Sequence, residues 1–231
     1  MNEQLVLGLS LKEALEKEDF FISSSNLDAV TLLDNTDRWA SGVLLLVGPK
    51  GSGKTHLSTV WSKENKAKHV KLEAVLREME NGLDHEFVCV EDIDVIEKAE
   101  RQKKLKIEEG IFHLINSIRS KGGNLLISSR IMPNALSIGI KDLESRLQSF
   151  SNTTIKEPDD TLVMALLLKY FNDRQIFVKH SNLDYIAARI NRTYGSIYEF
   201  VNYVDHKSLV LNRKITRPFI DAALRQMEKK Y

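Results

Sequence analysis

Gly48-Pro49-Lys50-Gly51-Ser52-Gly53-Lys54-Thr55 stands directly behind the apolar run Val43-Leu44-Leu45-Leu46-Val47. The eight residues fit the pattern G-x-x-x-x-G-K-[ST] of a phosphate-binding loop. Glycines let the backbone bend until successive N–H groups face one point, and a helix starting near Lys54 aims its positive end at that same point. In such a loop the lysine neutralises the outer phosphates and the Thr55 hydroxyl holds Mg²⁺. Pro49, Lys50, Gly51, Ser52, Gly53, Lys54, Thr55 and the adjoining His56 are therefore the expected phosphate-binding residues. The plain alternative is a glycine-rich turn joining a strand to a helix. The apolar run before the loop and the helical spacing of Leu57, Val60 and Trp61 after it favour the phosphate loop.

A nucleotide site needs a second acidic element to order Mg²⁺ and water. "FVCVEDID", residues 87 to 94, supplies one: an apolar strand followed by Glu91 and Asp92. With Thr55 these are the expected metal-binding residues, and the two acids are also the expected catalytic ones. "HVKLEAVLREMENG" reads as strand then helix, closed by Asn81-Gly82, and "NLLISSR" as a further buried strand. "KIEEGIFHLINSIRSKGG" carries Ile107, Ile111, Leu114 and Ile118 on one helical stripe and stops at Gly122-Gly123. "LDAVTLLDNTDRWA" spaces Leu27, Val30, Leu33 and Trp39 roughly at helical intervals. Alternating strands and helices predict an α/β fold with a doubly wound parallel sheet, here over residues 13–156. Beyond Pro158 the pattern turns wholly helical, which predicts four helices and a small all-α domain over 157–231.

Lys and Arg number 33 against 32 for Asp and Glu, so the chain carries no global signature of nucleic-acid binding. The basic run "KAERQKKLK", residues 98 to 106, reads as a solvated helix face or loop. A single cysteine, Cys89, excludes an intramolecular disulfide and sits in an apolar strand as buried filler. No apolar run approaches the ~20 residues a membrane helix needs, and a cytoplasmic location is expected.

"GPKGSGKTHL", "FVCVEDID", "IFHLINSI", "NLLISSR" and "DLESRLQSF" follow one another as in the AAA+ module of the bacterial replication initiator DnaA. The chain most resembles the Hda family, short DnaA relatives that inactivate the initiator, and the alphaproteobacterial form in particular. The resemblance runs from "EQLVLGL" to "KITRPFIDAAL" and implies an ADP or ATP site with Mg²⁺. It makes "FFISSSN" the segment beside the adenine, so Phe21, Ile22 and Asn26 become base-pocket candidates. Glu91-Asp92 departs from the family's usual Asp-Glu or Asp-Asp, which leaves the roles of metal ligand and water activator open between them. Ser129 stands where the initiator has the aspartate of its first sensor. Gly195 stands at the lid position of the second sensor arginine. Arg192, three residues earlier, is either a substitute or an ordinary helix-surface residue.

By the same resemblance Arg146 is the arginine that reaches into a neighbour's nucleotide. Its planar fork of donors suits the charge on a transferring phosphoryl group, and supplied in trans such a group is worth about 10³ to 10⁵ in rate. Without the resemblance, a surface arginine pairing with Asp142 or Glu144 is the ordinary reading. "QLVLGL" in the N-terminal segment 1–12 resembles a sliding-clamp-binding hexamer, with Gln4, Leu5, Leu7 and Leu9 as the contacts. The implied partners are DnaA and the DNA polymerase III β sliding clamp, with DNA reached only through the clamp, no membrane, and self-association left open. The expected function is a nucleotide-bound adaptor that stimulates ATP hydrolysis by DnaA and so negatively regulates initiation. Its own hydrolysis is expected to be slow. The alternative is an autonomous AAA+ ATPase of helicase-loader type.

Overall fold

The computed structural model describes residues 20–211 and 213–228. The Gln4, Leu5, Leu7 and Leu9 contacts lie outside them. Five strands form one parallel sheet: β1 (Val43–Val47), β2 (Lys68–Val70), β3 (Phe87–Val90), β4 (Asn124–Ser129) and β5 (Ser151–Thr154), in the order β2-β3-β4-β1-β5. Every pairing is parallel, with Val47 opposite Ser129 and Val90 opposite Ile127. All five residues of β1 are buried because helices cover both faces of the sheet, which is why its sequence does not alternate.

The period of two still sorts the side chains. Leu44, Leu46, Cys89 and Leu126 point to one face, where they pack with α1 (Leu27–Leu33) and α2 (Lys54–Asn65). Val43, Leu45, Val88, Val90, Leu125 and Ile127 point to the other, against α3 (Val75–Glu80), α4 (Arg101–Ser120) and α5 (Lys141–Ser149). Four more helices follow β5: α6 (Asp160–Asp173), α7 (His180–Ala187), α8 (Tyr194–Leu211) and α9 (Arg217–Glu228). Their core of Leu167, Phe171, Ile186, Phe200 and Val204 is continuous with the first face of the sheet.

Side chains cap the starts of two of these helices and not of a third. Asp159 caps α6 by accepting the Leu162 N–H at 2.8 Å, and Thr193 Oγ1 accepts the Ser196 N–H at 3.0 Å in the first turn of α8. Helix α7 starts after Lys179 with no side-chain cap. The basic run splits between a short 3₁₀ segment ending at Lys98 and the first turns of α4, where Arg101, Lys103 and Lys106 are exposed.

Strand order places the site. The chain leaves β1 toward β2 on one side and leaves β4 toward β5 on the other, so the connections from these neighbouring strands run in opposite directions. In an open parallel sheet the crevice beyond the C-terminal strand ends at such a point is where ligands bind. The loops after β1, β3 and β4 all open there.

Candidate nucleotide site

The loop after β1 is shaped by three glycines, each pressed by a different element. A Cβ on Gly48 would lie 2.7 Å from Ser52 Oγ and 3.1 Å from Ile155, so the space belongs to the β5 exit. Gly51 (φ +82°) and Gly53 (φ +89°) are left-handed, a region costly to residues with side chains. A Cβ on Gly51 would meet Tyr194 of the helical domain at 3.3 Å. One on Gly53 would meet the Phe20 ring at 2.7 Å. Phe20 also stands edge-on to His56, centroids 5.3 Å apart. The loop is thus clasped by the chain's N-terminal approach, the β5 exit and the first turn of α8.

Lys54 opens α2 and is 7% exposed. Its Nζ donates to the carbonyls of Gly48 at 2.8 Å and Pro49 at 3.0 Å, which folds the side chain back over the loop. Burial is the main cause of a Lys54 pKa below the ordinary lysine value. The nearby Arg130 lowers it further, while Asp92, Asp94 and Glu91 pull it back up. Thr55 is exposed on the first turn of α2. Ser52 is buried and its Oγ has no hydrogen-bond partner. Buried polar atoms are normally paired, so an orphan in this loop fits a ligand with oxygen or hydrogen-bonding groups.

The acids after β3 differ from each other. Glu91 Oε1 is buried and unpartnered. Asp92 has a left-handed backbone (φ +52°), its N–H donates to Ser128 Oγ at 3.0 Å, and its carboxylate receives Arg130 at 3.3 Å. An aspartate at positive φ is uncommon, and such conformations gather at functional sites. Asp94 accepts the Arg130 N–H at 2.8 Å. Among the described residues no three His, Cys, Asp or Glu side chains converge as a metal cage. That donor set still fits Mg²⁺, which is commonly held by one or two carboxylates together with phosphate oxygens and water. Ser129 spends its hydroxyl on the β4 turn, donating to the Ile131 carbonyl and accepting the Ile131 N–H.

The other expected residues are placed as follows. Phe21 and Ile22 are 47% and 55% exposed, whereas Asn26 is buried and works within its own turn. It accepts the Ser23 N–H and donates to the Phe21 carbonyl, which positions the segment from inside. That segment is also tied to the helical domain, since Ser24 donates to Asp159 at 2.7 Å, and to the chain leaving β5, since Lys156 donates its N–H to the Ser25 carbonyl. Arg192 pairs with Asp160 at the start of α6, and open space surrounds the Gly195 Cα. Arg146 contacts neighbours on α4 and α5: Asp142 at 2.9 Å, Asn116 at 2.6 Å, and the face of Phe112. Phe20, Tyr194, Asp94 and Arg130 are additions that sequence spacing did not single out. Of these, Arg130 alone left a trace, a cation at the end of a strand whose neighbours end in a phosphate loop and in acids.

Cys89 is fully buried in β3, and burial pushes its thiol up to about 12, which makes it the inert core residue its apolar setting implied. No helix among the described residues is long and apolar enough to cross a membrane.

Residues 159–224 match the family model of the Hda lid domain. An uncharacterised protein of Haemophilus influenzae is 28% identical over 237 residues, covering 97% of this chain and 99% of that protein. Domain III of DnaA from Thermotoga maritima superposes with a TM-score of 0.71 at 18% identity, over 92% of this chain and 96% of that one. AMPPCP-bound DnaA from Aquifex aeolicus gives 0.63 at 18% identity, over 85% and 67%. The chain thus combines a parallel sheet and phosphate-loop geometry with the fold of DnaA domain III, and over residues 159–224 it is similar to the lid domain of Hda.

Proposed function

We propose that the protein is a nucleotide-bound regulator of DnaA that carries its activating arginine outward rather than to its own phosphates. The observation behind this reading is the separation of two chemistries. The loop Gly48 to Thr55 offers backbone donors, a buried cation and an orphaned Ser52 hydroxyl to an anion. Arg146 is held on α5 by Asp142, Asn116 and Phe112. A guanidinium so braced is preorganised at the surface, and the same forked geometry that pairs with carboxylates suits a phosphoryl group.

In this reading Lys54, the loop amides and the α2 N-terminus hold the phosphates of ADP or ATP, and Phe21 and Ile22 line the base. Thr55 with Glu91 or Asp92 would hold Mg²⁺, which neutralises phosphate charge when bound. Ser129 has no hydroxyl left for the outer phosphate, and neither Gly195 nor the Asp160-paired Arg192 offers a free cation from the lid. Intrinsic hydrolysis is accordingly slow. Gln4, Leu5, Leu7 and Leu9 tether the protein to the β sliding clamp, and Arg146 acts on ATP held by DnaA. Two measurements test this. Lys54→Ala should abolish binding of fluorescent ADP, and replacing Leu7 and Leu9 together by alanine should abolish retention on clamp. Wild-type affinity in either variant overturns the corresponding assignment.

The buried, unpartnered Glu91 oxygen favours a second reading, an autonomous ATPase, because a desolvated carboxylate beside the phosphate site can activate water. Steady ATP turnover by the isolated protein, lost in Glu91→Gln, would select it.

A further inference from the structure

The cluster around Lys54 holds one cation more than a phosphate loop with acidic partners requires. Arg130 ends β4 and places its guanidinium between the two acids that leave β3, with Nη2 3.3 Å from Asp92 Oδ2 and Nε 3.8 Å from Asp94 Oδ2. Its own backbone N–H fixes Asp94 at 2.8 Å, and Ser128, two residues earlier, fixes the Asp92 N–H. One strand end therefore binds both acids through backbone and side chain together. The pair with Asp92, both side chains of which are more than a third exposed, contributes little to folding, so stability does not account for that half of the arrangement. Asp92 is moreover held at a positive φ with its carboxylate toward that guanidinium.

Phosphates entering beside Lys54 meet Asp92, Asp94 and Glu91 as well, and carboxylates repel phosphates unless a cation lies between. A divalent metal usually supplies that charge. A guanidinium is always protonated and cannot dissociate into solvent as a metal does. Resting on the reading of this crevice as a nucleotide site, we propose that Arg130 is the resident counter-ion of Asp92 and Asp94, so that a nucleoside diphosphate is held with little dependence on Mg²⁺.

The test is the ratio of fluorescent-ADP dissociation constants in EDTA and in Mg²⁺, for wild type, Arg130→Gln and Arg130→Lys. Wild type should change by no more than about threefold. Arg130→Gln should lose about tenfold or more in affinity on going from Mg²⁺ to EDTA, the scale of one charge-assisted contact. Arg130→Lys keeps the charge without the fork and should fall between. Equal ratios for wild type and Arg130→Gln would overturn the inference while leaving the nucleotide site standing, as would a tenfold metal dependence in wild type. Absence of ADP binding by folded wild type in both buffers would remove the nucleotide reading and the inference with it. Melting curves without nucleotide establish that each variant is folded.

Discussion

Glu108 is a fully buried carboxylate in the middle of α4, and removing it is the most informative stability experiment the fold offers. Its two oxygens both accept the Gly139 N–H at 3.0 Å, and Oε2 also accepts the Ile140 N–H at 3.0 Å. These amides lead into the first turn of α5, whose positive end the carboxylate faces. Gly139 leaves room for this contact, since a Cβ there would lie 3.2 Å from Oε2. Hydrogen bonds to a charged group are worth about 1.5–3 kcal/mol each, and two donors lose their acceptor in Glu108→Ala. Gly139 is exposed enough for water to replace part of this, which trims the expected cost to about 2–4 kcal/mol. For a chain of this size that is a fall of roughly 4–16 °C in melting temperature. Glu108→Gln keeps one acceptor and should fall between. The assay is thermal and urea unfolding of the three proteins. Because α5 carries Arg146, Glu108→Ala should also weaken any effect of Arg146 on DnaA at temperatures where the protein is still folded. A melting temperature within about 2 °C of wild type would show that the buried carboxylate does not anchor α5.

Four other outcomes follow. Gly53→Ala forces a side chain into a left-handed residue and against Phe20, which costs about 1–2 kcal/mol for the backbone alone; nucleotide affinity should drop with stability, and unchanged melting and binding would refute the clasp. Lys54→Met removes a cation whose pKa burial holds down, so the melting-temperature difference between variant and wild type, measured without nucleotide, should shift in favour of wild type as pH rises through that pKa toward 10.5; a difference that stays constant over that range would contradict this. Asp159 has a pKa lowered first by the Leu162 N–H and then by Ser24, so its contribution is present above the ordinary carboxylate range and lost as pH falls through the depressed value; Asp159→Asn should flatten the melting curve's pH dependence below about pH 4, and an unaltered slope would count against the cap. Cys89 should resist iodoacetamide in the native protein at pH 8 and react once unfolded, and rapid native labelling would contradict its burial.

The strands that could be read from sequence are those buried on both faces, where Val43–Val47, Phe87–Val90 and Asn124–Ser129 show as apolar runs. Strand β5, "SNTT", lies at the sheet edge and buries only Thr153, so it carries no apolar signal and was not foreseen. Trp39 follows helical spacing from Leu33, yet α1 stops there and Trp39 is buried through short 3₁₀ turns, stacked on Trp61. In the site, the loop was legible because its chemistry is local: three glycines, two lysines and a threonine in eight residues. Phe20 over Gly53, Tyr194 over Gly51 and Arg130 between Asp92 and Asp94 were not, because each needs segments brought together by the strand order. The part Asn26 plays in the turn was likewise not legible, since its side chain bridges the Phe21 carbonyl and the Ser23 N–H.

The trans arginine is tested most directly by following ATP loss on DnaA mixed with DNA-loaded clamp and either wild-type protein or Arg146→Ala. Wild type should accelerate hydrolysis, and Arg146→Ala should lose that acceleration by at least about 10³-fold, the scale of an arginine supplied in trans, while still binding ADP and clamp. Equal acceleration by both proteins, or none by wild type while it turns over ATP alone, would contradict the proposed function.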